Sequence, residues 1–204
     1  MMRNFKGFIA AMGVCLLGAS SSCVAATPDD NSANIVLNNI ATRASVRQFT
    51  NQPVDKATLE TIVRAGMAAP SAVNKQPWAF VVVTEREALD NLESAHPHAN
   101  LKTATAAIIV CGDTEKALPG AAREYWIQDC SAATQNILLA AHALGLGAVW
   151  CGVHPSAERV SEVSKVLGLP ASVIPLNIIT MGYPAAQPQP KDKWKPENVH
   201  YQRW

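Results

Sequence analysis

The sequence predicts a layered α/β domain, because helical-period segments and short β-branched runs alternate along it. Two of these segments are especially clear. Residues 78–84 combine Trp78, Phe80 and three valines, the pattern of a buried strand, and residues 121–144 keep an apolar face at helical spacing for six turns. With 49% hydrophobic and 16% charged residues among 204, the chain supports one full core and is not a disordered polymer. A net charge of +1 gives no global field for nucleic acid, so any anion site must be local.

The first 26 residues read as an export signal: Arg3 and Lys6, then an apolar stretch over 8–19, then small residues ending in Val24-Ala25-Ala26. The apolar stretch falls short of the roughly 20 residues needed to span a bilayer. Cleavage after Ala26 or lipidation at Cys23 gives a periplasmic or envelope-anchored protein, and the alternative is retention as an uncleaved anchor or a buried N-terminal helix. Residues 27–34 are polar and turn-prone and read as a tether.

The remaining elements follow in order. A first helix covers 35–40 and delivers Arg43 at its end. A second runs over 56–69, with Asp55 as N-cap, Leu59, Ile62, Val63 and Met67 as its stripe, and Pro70 as its stop. The strand at 78–84 leads to a short helix at 86–94 and a buried strand at 106–111. The helix at 121–144 buries Ile127, Cys130, Thr134, Ile137, Leu138, Ala141 and Leu144, and alanines on its other side predict burial nearly all round. Gly145 and Gly147 end it and open a strand at 148–153. A helix at 156–167 stops at Gly168 and Pro170, and the last core strand covers 173–181. Residues 184–197, with four prolines and three lysines, form an extended tail that closes on aromatic residues. Such a tail wraps a partner subunit more readily than it folds alone.

Known nucleotide signatures are missing. No G-x-G-x-x-G follows a strand, and there is no Walker lysine loop or G-x-S-x-G elbow. Cys111, Cys130 and Cys151 lie in apolar segments and read as core residues, with no zinc-type spacing and no metal site.

Four pieces carry chemistry. Arg43, Ser45 and Arg47 form an anion cluster, arginine suiting phosphate because its planar fork donates in pairs. The loop Pro70-Ser71 to Trp78 supplies Ser71, Asn74 and Gln76 as polar groups, with Trp78 read as core. Cys151-Gly152 ends a buried strand, where glycine permits close backbone approach by a ligand. Lys191 and Lys193 lie in the tail.

In that order the four pieces resemble the nitroreductase family across residues 35–204. The resemblance implies an α+β layered fold with a central, mostly antiparallel sheet flanked by helices, and a domain-swapped homodimer holding FMN at its interface. Arg43, Ser45 and Arg47 of one subunit would meet the loop holding Pro70, Ser71, Asn74 and Gln76 of the other. Backbone N–H groups at Cys151 and Gly152 would reach the flavin ring, and Lys193 or Lys191 its phosphate. Ala44 stands where the family often has Arg or His, so its contact would come from the backbone alone. The implied activity is ping-pong electron transfer from NAD(P)H or another donor to a nitroaromatic, quinone or similar acceptor. Segments 94–103 and 114–126 would frame the acceptor pocket. No catalytic side chain is expected, because the flavin does the chemistry, and His96, His98 and His142 read as surface residues. The alternatives are a reductive dehalogenase or enone reductase on the same fold, or a flavin-binding envelope protein without turnover.

Overall fold

The computed structural model describes residues 30–204. The export signal at 1–26, Cys23 and the start of the tether lie outside the described residues. The elements are α1 (Asp30–Thr42), α2 (Lys56–Met67), β1 (Trp78–Val83), α3 (Arg86–Ala95), β2 (Ala106–Asp113), α4 (Tyr125–Ala143), β3 (Gly147–Gly152), α5 (Ala157–Leu167) and β4 (Val173–Gly182). The four strands form one sheet in the order β1-β2-β4-β3, antiparallel at every pairing. This is the expected α+β arrangement, with β1 and β3 at the edges.

Strand periodicity sorts the core into two layers. On one face Ala106, Ile108, Val110, Ala148, Ile179 and Met181 pack under α2 and α4. On the other Ala107, Ile109, Cys111, Val149, Cys151 and Ile178 pack under α3 and α5. Successive side chains on a strand point to opposite faces, so the wholly apolar run of β2 is covered twice. Helix α4 is the central helix: Cys130, Ala133, Ile137 and Ala141 are fully buried, and alanines let its neighbours approach closely. Gly66 of α2 meets it so tightly that a Cβ there would lie 2.8 Å from Ile137.

Three of the boundaries that differ from the sequence reading bear on the site. Helix α1 covers Asp30–Thr42, so residues 30–34 of the proposed tether are helical. Helix α2 ends at Met67, with Ala68 as its C-cap, because Pro70 forces the chain to straighten before it. Helix α4 starts at Tyr125, since Pro119 and a left-handed Gly120 (φ 63°) lead first into a 3-10 turn over Gly120–Glu124.

Two regions pack little against this body. Ile35, Val36, Leu37 and Ile40 of α1 are all at least half exposed. In the tail Trp194, Tyr201 and Trp204 are exposed too, Trp204 almost completely. Among the described residues no helix is long and apolar enough to cross a membrane.

Candidate functional site

The end of α1 is tied to α4 at two points. Asn39 Nδ2 donates to Leu139 O at 3.1 Å, and Thr42 Oγ1 lies 2.9 Å from His142 Nε2. Because the Thr42 hydroxyl donates to Asn38 O, it accepts from the imidazole. These bonds fix where Arg43 leaves the helix. The next residues run beside β3: Ser45 bridges Ala148 in parallel, and Val46 N donates to Ala148 O at 3.1 Å. Val46 turns inward onto Gly147, where a Cβ would lie within 2.7 Å of it. Arg43 is half-buried, while Ser45 and Arg47 are exposed.

The tail returns to the same place. Phe49 bridges Pro184, Thr50 N donates to Tyr183 O at 2.8 Å, and Ala185 N donates to Gln48 O at 3.0 Å. Beyond this clamp, Gln189, Lys191 and Lys193 join Arg43, Ala44, Ser45 and Arg47 around one cavity of about 260 Å³. Four cations and no acid line it, and none of them joins an ion pair among the described residues. Burial and then Arg43 hold the His142 pKa below its ordinary value. An unneutralised cluster of this kind favours a polyanion such as a phosphate. Both lysines line the cavity, so the structure does not prefer Lys193 over Lys191.

At the far end of β3 the edge is open. Val153 N donates to Leu176 O, so alternate residues 149, 151 and 153 direct their backbone groups to β4. Residues 148, 150 and 152 therefore face outward, as the Ala148 and Gly152 carbonyl bonds show. This corrects the expectation for Cys151: its N–H points into the sheet, and the outward donors are Trp150 and Gly152. A Cβ added at Gly152 would meet no atom of this chain within 4 Å, which leaves room for a ligand. The Cys151 side chain donates to Ala99 O at 3.2 Å and is buried, which raises its pKa. Cys111, pushed up to about 12 by burial, and Cys130 are likewise packed thiols.

The loop after α2 is not part of the cation cavity of its own chain. Ser71 Oγ accepts from Gln76 N at 2.9 Å, and Gln76 Nε2 donates to Asn74 Oδ1 at 3.0 Å. Val73, Asn74 and Gln76 all have positive φ, a conformation that L residues seldom adopt. Buried Asp129, near the start of α4, holds the loop by accepting from Ala72 N at 2.8 Å. Pro70 is exposed at its entrance.

A second cavity, of about 540 Å³, joins Arg47 and Glu93 to Pro97, Asn100, Lys102 and Thr103. Segment 94–103 thus approaches the cluster, whereas no residue of 114–126 lines either cavity. His96 departs from its expected surface role, being only 2% exposed with Nε2 2.9 Å from Gly152 O. Sequence reasoning missed His96, Gln189 and Asp129. Only Asp129 left a signal, as an acid next to Cys130 in the buried stripe of α4.

Comparison with known proteins gives one consistent result. The model of the nitroreductase family matches residues 40–96 and 92–183. A Methanothermobacter thermautotrophicus protein, provisionally named NADH dehydrogenase/NAD(P)H nitroreductase, is 44% identical over 171 residues, 83% of this chain and 87% of that one. The crystal structure of a Parabacteroides distasonis protein under the same provisional name has a TM-score of 0.79 at 45% identity, covering 84% of this chain and 99% of that one. A Clostridium difficile structure described as an FMN-dependent nitroreductase has a TM-score of 0.75 at 28% identity, covering 82% and 99%.

Proposed function

The chain belongs to the nitroreductase family, and from that premise we propose that it is an FMN-dependent oxidoreductase. It takes electrons from NADH, NADPH or another donor and passes them to a nitroaromatic, quinone or similar acceptor in a ping-pong cycle. The observation that carries this reading is the acid-free cavity lined by Arg43, Ser45, Arg47, Lys191 and Lys193. Its donor set suits a phosphomonoester, and the open edge of β3 beside it offers backbone N–H groups to a polar ring edge. FMN, when bound, supplies the electron-accepting chemistry. The chain's own residues bind and orient it: Arg43 and a tail lysine at the phosphate, Arg47 where negative charge grows on reduction, and Gly152 N–H at the ring.

The site also needs a second copy. Ser71, Asn74 and Gln76 do not line the cation cavity of their own chain, and α1 and the tail expose apolar side chains that a partner would cover. The reading is a domain-swapped homodimer in which the 70–76 loop of each subunit completes the site of the other. Arg3, Lys6 and the apolar 8–19 stretch support export, with cleavage after Ala26 or a lipid on Cys23 as the mature start. Mass spectrometry of the native N-terminus distinguishes the two; an intact Met1 would contradict both.

Anaerobic reduction tests the activity. The purified protein is expected to show a flavin absorption band that NADH or NADPH bleaches and a quinone restores. Bound flavin that neither nicotinamide reduces would favour another donor or a carrier without turnover, and failure to take up FMN would refute the proposal.

A further inference from the structure

Gly152 is gripped from outside the sheet. Its carbonyl accepts from His96 Nε2 at 2.9 Å and from Arg159 Nη1 at 3.4 Å, donors from the end of α3 and the first turn of α5. A carbonyl only accepts, so the imidazole proton sits on Nε2. Nδ1 is then a bare acceptor, buried and without a partner. An apolar side chain would fill this position without that cost, because an unsatisfied buried polar atom is unfavourable. The histidine is therefore poor packing but a good donor. Its target is a glycine, the residue least able to fix its own backbone angles.

The two backbone groups of one residue in a strand point to the same side. Holding the Gly152 carbonyl therefore also aims the Gly152 N–H, which faces the open edge of β3. We propose that His96, backed by Arg159, is a positioning residue that locks Gly152 so that its N–H is presented to the flavin ring, and that it thereby sets the reduction potential. This rests on the flavin reading above. Nearby, the His98 ring stands edge-on at 6.4 Å, and Glu158, Arg159 and Glu162 share with His96 a cavity of about 360 Å³. Glu93 on α3 accepts from Leu101 N at 2.7 Å.

The test compares the wild-type full chain with His96→Leu, His96→Gln and Arg159→Leu, measuring FMN affinity and the two-electron potential of bound flavin. His96→Leu is expected to weaken binding of reduced flavin tenfold more than oxidised flavin, a downward shift of about 30 mV. His96→Gln, whose amide can donate, recovers at least half of that shift. Arg159→Leu gives a smaller shift of the same sign. A histidine needed only for packing would lower the melting temperature and leave the potential alone. Flavin-loaded His96→Leu and Arg159→Leu proteins with the wild-type potential would overturn the proposal while leaving the flavin reading intact. If His96→Leu does not fold, Arg159 decides, since it is exposed and its loss spares the core; no shift there overturns the proposal. A wild-type protein that binds no FMN would sink both readings at once.

Discussion

At the scale of single residues, the heaviest demand falls on Arg43, which is half-buried among like charges. Arg43→Ala is expected to weaken FMN binding by roughly 1.5–3 kcal/mol, about one to two decades in Kd; an unchanged titration would remove Arg43 from the phosphate site. The thiols make the opposite prediction. Cys111, Cys130 and Cys151 are buried with raised pKa values, so iodoacetamide at pH 8 should label them only after denaturation. Rapid labelling of Cys151 in the native protein would contradict its burial. The anion cluster was legible because two arginines and a serine lie at alternate positions of one short segment. His96 was not, because it sits in the polar stretch His-Pro-His-Ala-Asn. What buries it is a turn with Asn100 at φ 61° that folds the segment back onto β3, a tertiary event without local signature. Asp129 was half-legible: its place beside Cys130 in the buried stripe of α4 can be read, but its partner, Ala72 N, comes only from the fold.

At the scale of elements, the four strands and five α-helices of the described residues were legible, because each carries a clear apolar period or a clear stop. The misplaced boundaries lie where a turn competes with helix propensity, as before Tyr125. Backbone hydrogen-bond direction on β3 was less legible, since the parity that turns the Cys151 N–H toward β4 and the Gly152 N–H toward the edge depends on pairing with β4. Two substitutions probe these joints. At Gly112 a Cβ would run into the Trp126 indole, so Gly112→Ala should cost about 1–3 kcal/mol in denaturant unfolding. A neutral result would mean that the indole can move aside. Asp129→Ala leaves the Ala72 N–H without its acceptor and should cost about 1–3 kcal/mol. It should also speed amide exchange over 71–76 more than elsewhere. Uniform acceleration along the chain would indicate a general loss of stability instead of a freed loop.

At the scale of the whole molecule, acid sensitivity follows from two histidines. Burial lowers the folded pKa of His96 and of His142 below the ordinary 6.5. The unfolded chain therefore binds more protons, and stability should fall as pH drops below about 6.5, levelling off beneath the folded values. The urea midpoint should be lower at pH 5.5 than at pH 7.5, and His96→Gln should narrow that gap; a gap that His96→Gln leaves unchanged would place the effect elsewhere. Assembly is the other property at this scale. The exposed apolar face of α1 and the aromatic tail make sense once covered, and the resemblance to the nitroreductase family was readable only from the order of four weak motifs. In the proposed homodimer one FMN site is built from the Arg43 cluster of one subunit and the 70–76 loop of another. Mixed dimers test it most directly: Arg43→Ala and Asn74→Ala chains are purified separately, unfolded, refolded together and assayed for bound FMN. Each variant alone should hold little flavin, while mixed dimers carrying one intact site should regain about one FMN per dimer. Mixed dimers as empty as their parents would contradict a site shared between subunits.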